Sequence, residues 1–327
     1  MARFLINHLY LVDLLFLLVF PLLFLVVGYL FSRRSRKKAK RNAVVPIVIA
    51  SMLAVLTAGT YLYGKYIGAR QLTVRQVEVA FAELPEAFDG YRIVQVSDLH
   101  AGTMPVDLLS RVVDSVNAQH PDLIAFTGDM QNVEPQELEP LLPQLKRLKA
   151  RDGICSILGN HDYGDYSYAE EREKYNNIGQ LLSYQQDMEW RVLANTRFIV
   201  RRDSQFIVIA GMENDGEAPS PQLGNIQQSL DGIHRGDFIV MLEHDPTAWR
   251  RKILRHCHAQ LTLSGHTHGG QLNVFGWSPA SLRYREYAGL YTINNRWLHV
   301  SSGLNGAIPV RIGVTPEIVV ITLKKSK

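Results

Sequence analysis

The chain has 327 residues, 46% of them hydrophobic and 20% charged, which excludes a wholly disordered protein and leaves room for one large domain with an appendage. The formal net charge of +4 is unevenly spread: residues 1–65 hold nine of the 35 Lys and Arg but only one acid, Asp13, so the remainder is net acidic. The basic balance comes from a short N-terminal run, and it points to no nucleic-acid groove.

The first element is a long apolar stretch. Leu14 to Phe31 carries no charge, and the run extends back to Leu9 with Asp13 as its one interruption. A second uncharged stretch runs from Ala43 to Gly64. Crossing the hydrocarbon takes about 20 apolar residues in a helix. The two stretches predict spans over about 9–31 and 43–64, forming a membrane hairpin within residues 1–66. Pro21 and Pro46 are tolerated in such helices. The alternative, two buried core helices, fits less well, because core helices are shorter and amphipathic.

Ser32 to Asn42 separates the two runs, and seven of its eleven residues are basic. Short loops of this kind stay in the cytoplasm. That places the N-terminus and the large C-terminal part outside the cytoplasm, on a multi-pass protein of a bacterial inner membrane. The basic cluster follows the first apolar run, so a cleavable signal is not indicated. Tyr61, Tyr63 and Tyr66 suit an interfacial belt.

Residues 67–327 read as an α/β domain. A linker and first strand occupy about 65–90. Strand-like runs follow at Tyr91–Ser97, Leu123–Thr127, Ile154–Leu158, Phe198–Val200, Phe206–Ala210, Phe238–Leu242, Gln260–Ser264, Leu298–Ser301 and Ile318–Leu323. Several are continuously apolar, as expected of strands covered on both faces. Helical patterns lie at Asp107–Gln119, Glu134–Ala150, Tyr168–Asp187 and Ala248–Arg255. Alternation of strand and helix argues for α/β, and the closer spacing later in the chain argues for a partly antiparallel region. The two cysteines, Cys155 and Cys257, lack CxxC spacing; unpaired thiols are expected, with a single disulfide left open.

Five strand runs end in bursts of metal-ligand residue types. They are Asp98-Leu99-His100, Gly128-Asp129, Gly159-Asn160-His161-Asp162, Glu243-His244-Asp245 and Gly265-His266-Thr267-His268. Ligands bind beyond the carboxyl ends of strands in α/β sheets. Residues two apart in extended backbone face the same way, so Asp98 with His100, and His266 with His268, can converge. Glycines before the ligands permit tight turns. One burst alone is weak evidence; five in this order are strong.

Together these motifs resemble the signature of calcineurin-like metallophosphoesterases. The run Gly265-His266-Thr267-His268-Gly269-Gly270-Gln271 resembles a branch of bacterial membrane-associated phosphodiesterases. So do the tail segments Ser301-Ser302-Gly303-Leu304, Pro309-Val310-Arg311 and Pro316-Glu317-Ile318. The resemblance runs from about residue 75 to the end. It implies a sandwich of two mixed β-sheets flanked by helices. It implies that Asp98, His100 and His268 hold one divalent metal, that Asn160, His244 and His266 hold a second, and that Asp129 bridges them. It leaves His161 off the metals, as the group that protonates the leaving oxygen or steadies the transition state. Arg311 is assigned to substrate by the same resemblance.

An oxygen and imidazole donor set suits Mn, Fe or Zn. Asp162 and Asp245 are read as hydrogen-bond partners of the site. Arg283 and Arg285 are read as solvent-facing or structural, and Trp277, Tyr284, Tyr287 and Tyr291 as core or rim. The expected activity is hydrolysis of a phosphorylated small molecule or lipid, most simply a phosphodiester. The alternative is a pyrophosphatase acting on a lipid-linked nucleotide sugar such as UDP-diacylglucosamine.

Overall fold

The structure is a computed structural model that describes residues 2–37, 44–168, 170–218 and 220–326. Residues 38–42 of the basic loop lie outside the described residues. The chain begins with α1 (Ala2–Asn7) and α2 (Leu9–Leu14). A π-turn at Leu15–Val19 leads into α3 (Phe20–Lys37), and α4 (Val45–Tyr66) follows. Leu9–Ser35 and Val45–Arg70 are long and apolar enough to cross a membrane by length and composition.

The two long helices pack antiparallel, as three contacts show. Asp13 Oδ1 accepts from Tyr61 Oη at 2.6 Å and from Lys65 Nζ at 2.5 Å. The rings of Phe16 and Tyr61 stack at 4.8 Å. Gly28 lies against Ala50 and Pro46, so close that a Cβ would find no room. Early positions on one helix thus meet late positions on the other.

Among the described residues twelve strands follow: β1 (Thr73–Phe81), β2 (Arg92–Val96), β3 (Leu123–Thr127), β4 (Ile154–Ile157), β5 (Arg191–Val192), β6 (Thr196–Arg202), β7 (Gln205–Gly211), β8 (Ile239–Leu242), β9 (Leu261–Ser264), β10 (Gly289–Ile293), β11 (Arg296–Val300) and β12 (Glu317–Lys325). They form two six-stranded sheets, ordered β1-β12-β2-β3-β4-β5 and β10-β11-β9-β8-β7-β6. In the first sheet β2 to β5 run parallel, and β12 is antiparallel to β2. In the second, β7, β8, β9 and β11 run parallel, with antiparallel strands at both edges. Both sheets are mixed, as expected.

Alternating side chains explain the layering. Ile93, Val319 and Ile321 face the second sheet, where Ile207, Ile209, Val240 and Leu263 meet them. Their neighbours Val94, Val96, Ile318 and Val320 face the other way, against α5 (Val106–Ala118). Period-two burial on both faces makes each sheet a middle layer with helices outside.

One expected helix is different. The pattern over Glu134–Ala150 resolves into a 3-10 turn at Pro135–Leu138 and a single α-turn at Leu142–Leu145. Pro140 and Pro143 lack the donors that a continuous helix needs, and their rings clash with the preceding turn. Cys155 is buried and Cys257 half-buried, and both are free thiols.

Candidate metal centre

The site is built on the carboxyl ends of β2, β3 and β4 in one sheet and β8 and β9 in the other. Gln95 of β2 joins the two sheets there, donating to Ser264 O at 2.8 Å. Beyond these ends the backbone turns sharply. Asp98, His100, Asp129, His266 and His268 all have positive φ, between 44° and 71°. Residues with side chains adopt this conformation uncommonly, and five of them are gathered here. Two glycines make the crowding possible. A Cβ on Gly265 would collide with Ser97 and Asp98, and one on Gly128, whose φ is +93°, would lie 2.6 Å from His244 Nδ1.

The turns gather two groups of donors. Asp98, His100, Asp129 and His268 offer ligand atoms that all lie within 4.8 Å of one another, and so do Asp129, His244 and His266. Asp129 belongs to both groups. Its Oδ2 is 3.6 Å from His100 Nε2 and 3.3 Å from His244 Nε2. Asn160 joins the second group, its Oδ1 lying 2.6 Å from His266 Nδ1. All seven expected ligand positions therefore converge. His161 lies beside them, its ring edge-on to His100 at 4.6 Å.

Hydrogen bonds set the imidazoles. His244 Nδ1 is 2.7 Å from Thr127 O, and His161 Nδ1 is 2.7 Å from Asn132 O. A carbonyl can only accept, so each Nδ1 carries hydrogen and each Nε2 is the nitrogen left for chemistry. Asp162 ties two ligand loops together. Its Oδ1 accepts from Met130 N and Gln131 N, and its Oδ2 accepts from Gly159 N.

The electrostatics fit a cation. Burial pushes Asp98 up to about 6 against the pull of His244. Burial acts the same way on Asp129, but His244, His161 and His100 hold it well below the usual range. Burial drives His100 down to about 3. Burial would also lower His244, yet Asp129 and Asp98 raise it to about 10. The carboxylates thus draw a proton where no other cation compensates them. Asp98 Oδ2, His100 Nδ1 and His268 Nδ1 are buried without a hydrogen-bond partner. Buried polar atoms are ordinarily paired, so this donor set is suited to divalent metal.

Arg311 does not reach a substrate position. It is 1% exposed. Its guanidinium donates to the carbonyls of Thr315, Ser302 and Asn305, strapping two loops together. Burial lowers it to about 10, against the attraction of Asp98 and Glu317. The long-range fold, invisible in a local motif, turns this side chain inward.

Two aromatic residues lie beside the site: Tyr166, unread in sequence, and Tyr284, expected at the core or rim. Tyr166 stacks on His161 at 3.9 Å, and its hydroxyl accepts from Asn160 Nδ2 at 3.2 Å. Tyr284 Oη lies 3.0 Å from His266 Nε2. Nothing in their local sequence marked Tyr166, and Tyr284 was one of several tyrosines after the His-x-His pair. Asp245, expected as a supporting residue, accepts from Thr247 and lies 3.4 Å from His266 Nε2.

Two sheets back to back, with clustered imidazoles and carboxylates at one edge, define a metal-dependent hydrolase of phosphate esters. The family model for calcineurin-like phosphoesterases matches residues 91–270, more than half of the chain. The chain belongs to that family. It is 30% identical to a zebrafish (Danio rerio) transmembrane protein with a metallophosphoesterase domain, over 97% of this chain and 72% of that one. It is 29% identical to YkuE, an uncharacterised metallophosphoesterase of Bacillus subtilis, over 89% of this chain and 99% of that one. A third relative, from Aquifex aeolicus, is 27% identical over 77% of this chain and 92% of its own. These relatives come from both animals and bacteria.

Proposed function

We propose that this chain is a membrane-anchored phosphodiesterase working with two divalent cations. Asp98, His100 and His268 would hold one cation, Asn160, His244 and His266 the other, and Asp129 would serve both. The supporting observation is the pair of donor groups that share one carboxylate, assembled from five strand ends. The donors favour Mn, Fe or Zn over Ca or soft metals.

Bound cations supply Lewis-acid polarisation of the phosphoryl group and a water acidic enough to attack near neutral pH. The chain's own residues do the rest. His161 is fixed through Nδ1 to Asn132 O; it acts as the acid in its doubly protonated form, passing the Nε2 proton to the leaving oxygen and returning to the neutral Nδ1–H ring. Tyr166 stacked on that ring limits its rotation. Asp162 holds the Asp129 and Asn160 loops at fixed separation.

The hairpin over Leu9–Ser35 and Val45–Arg70 is the anchor, with residues 67–327 as the catalytic domain. The basic loop between the helices argues for a cytoplasmic turn and an extracytoplasmic domain in the cell membrane. The test is turnover by the purified full chain in detergent with Mn²⁺, against chromogenic phosphomonoesters and phosphodiesters. Diester cleavage that disappears in Asn160→Ala is the expected result. Equal turnover by the variant would overturn the ligand assignment.

A further inference from the structure

The segment that follows His268 has a shape that the catalytic site does not require. Val274 and Trp277 pair as an isolated antiparallel bridge, with reciprocal backbone hydrogen bonds of 2.9 and 3.1 Å. Phe275 and Gly276 form the two central positions, at φ values of +52° and +85°. Positive φ at both positions is the two-residue hairpin turn that normally takes Asn-Gly. Here the strained position displays a phenylalanine, and that side chain is fully exposed. Trp277 and Val274 are exposed beside it, and Leu282 is 79% exposed. Arg283 and Arg285 are exposed next along the chain. Exposed large apolar side chains gathered on one short segment mark a candidate interaction surface.

Both ends of the segment are fastened to the catalytic site. Ser278 Oγ donates to Gly269 O at 2.8 Å, and Thr267 Oγ1 donates to Tyr287 O at 2.6 Å. Tyr284 touches His266. The segment is also joined to the apolar helices. Leu272 bridges Ile312, and Asn273 N donates to Ile312 O at 2.8 Å. Gln271 Nε2 donates to Ile308 O and Val310 O. The 308–312 loop lies directly on α4: Arg311 N donates to Gly64 O at 3.1 Å, and a Cβ on Gly64 would touch Val310 and Ile312. A further tie crosses the opposite side of the site, where Asn7 Nδ2 donates to Tyr166 O at 3.0 Å. The two aromatic neighbours of the site, Tyr166 and Tyr284, thus lie on segments tied to the N-terminal helices.

We propose that the 272–285 segment is a third membrane contact, a shallow interfacial insertion led by Phe275, Trp277 and Leu282, which seats the mouth of the metal centre on the bilayer. The occupant of this surface is lipid. Its continuity with the apolar helices argues for this, as does a tryptophan beside aliphatic residues, the composition of membrane interfaces. Arg283 and Arg285 suit anionic headgroups. The inference rests on the reading of the N-terminal helices as a membrane hairpin. It also specifies the substrate of the proposed phosphoesterase: an amphiphile whose phosphate lies at headgroup level, taken from the bilayer rather than from solution.

The test uses the full chain reconstituted in vesicles containing anionic lipid. A nitroxide attached at Phe275→Cys reports depth through its relative exposure to oxygen and to a water-soluble nickel complex. Tyr175→Cys, an exposed position on another element, is the aqueous reference. The expected result is a label at Phe275 shielded from nickel and accessible to oxygen, against the opposite at Tyr175. A second variant, Phe275→Asp/Leu282→Asp, is assayed on a vesicle-borne phosphodiester lipid and on a soluble aryl phosphodiester. The ratio of the two rates should fall at least tenfold relative to the parent. Nickel accessibility equal to that of Tyr175, or an unchanged ratio, overturns the proposal while leaving the phosphoesterase reading intact. Failure of the parent to cleave either diester with Mn²⁺ present counts instead against that reading. In that event the depth measurement alone decides the membrane contact.

Discussion

The sandwich and the N-terminal helices treat polarity in opposite ways. In the sandwich, apolar side chains fill the interior, and the carboxylates and imidazoles of the site are buried at one edge, where Asp98, His100 and Asp129 are essentially inaccessible. In the helices, leucines and valines such as Leu22, Leu23, Val55 and Leu56 face outward, and the Asp13, Tyr61 and Lys65 cluster holds the two helices together. The first arrangement suits water outside and metal inside; the second suits hydrocarbon outside. A polar cluster is therefore a candidate functional site at one place and an alignment device at the other.

The largest expected effect lies at the shared carboxylate. Asp129→Ala should remove cation binding, seen by elemental analysis, and with it all turnover above background. Retained stoichiometric metal would break the claim that this carboxylate joins the two groups. His161→Ala should separate chemistry from binding. Turnover is expected to fall about 10²- to 10⁴-fold, the usual contribution of a positioned acid, with metal content unchanged; loss of metal would move this residue into the ligand set.

Chelation should lower thermal stability as well as activity. A cation present at a hundredfold over its dissociation constant stabilises the folded state by about 2.7 kcal/mol per site. A melting temperature indifferent to chelator would mean that the buried charges are balanced some other way. Asp162→Ala strands three backbone donors. It should cost about 1–3 kcal/mol per buried group left unpaired, read as a lower denaturation midpoint with weaker turnover.

The smallest effect belongs to the helices. Asp13→Asn should change stability by no more than about 1 kcal/mol, because Asp13 and Lys65 are both partly exposed and such pairs contribute little. Turnover in detergent should be unaltered. A loss comparable with that of His161→Ala would show that the two regions are not separable.

The convergence of the expected donors was legible because each requirement is local. A strand end, a glycine and a donor with fixed spacing stand within a few residues of one another, as at Gly128-Asp129 and Gly265 to His268. The α/β class was legible for the same reason, since continuously apolar strand runs are local, whereas the two-sheet sandwich came with the resemblance. The broken helix at 135–145 was hidden by an apolar rhythm that its prolines override. Arg311 was misplaced because its partners, the carbonyls of Ser302, Asn305 and Thr315, depend on loop packing. Tyr166 was missed because its contact with His161 comes from a turn rather than from a repeating spacing.

The left-handed backbone at five ligand positions has a consequence for descent. Conformations of this kind cost on the order of 1–3 kcal/mol each for residues with side chains, and glycine relieves most of that strain. Replacing a ligand with glycine would also remove a buried charge or imidazole. Selection for stability alone would therefore tend to erode this site. A descendant released from the reaction should accumulate glycines where the aspartates and histidines stood, and should melt at a higher temperature than its metal-free working ancestor.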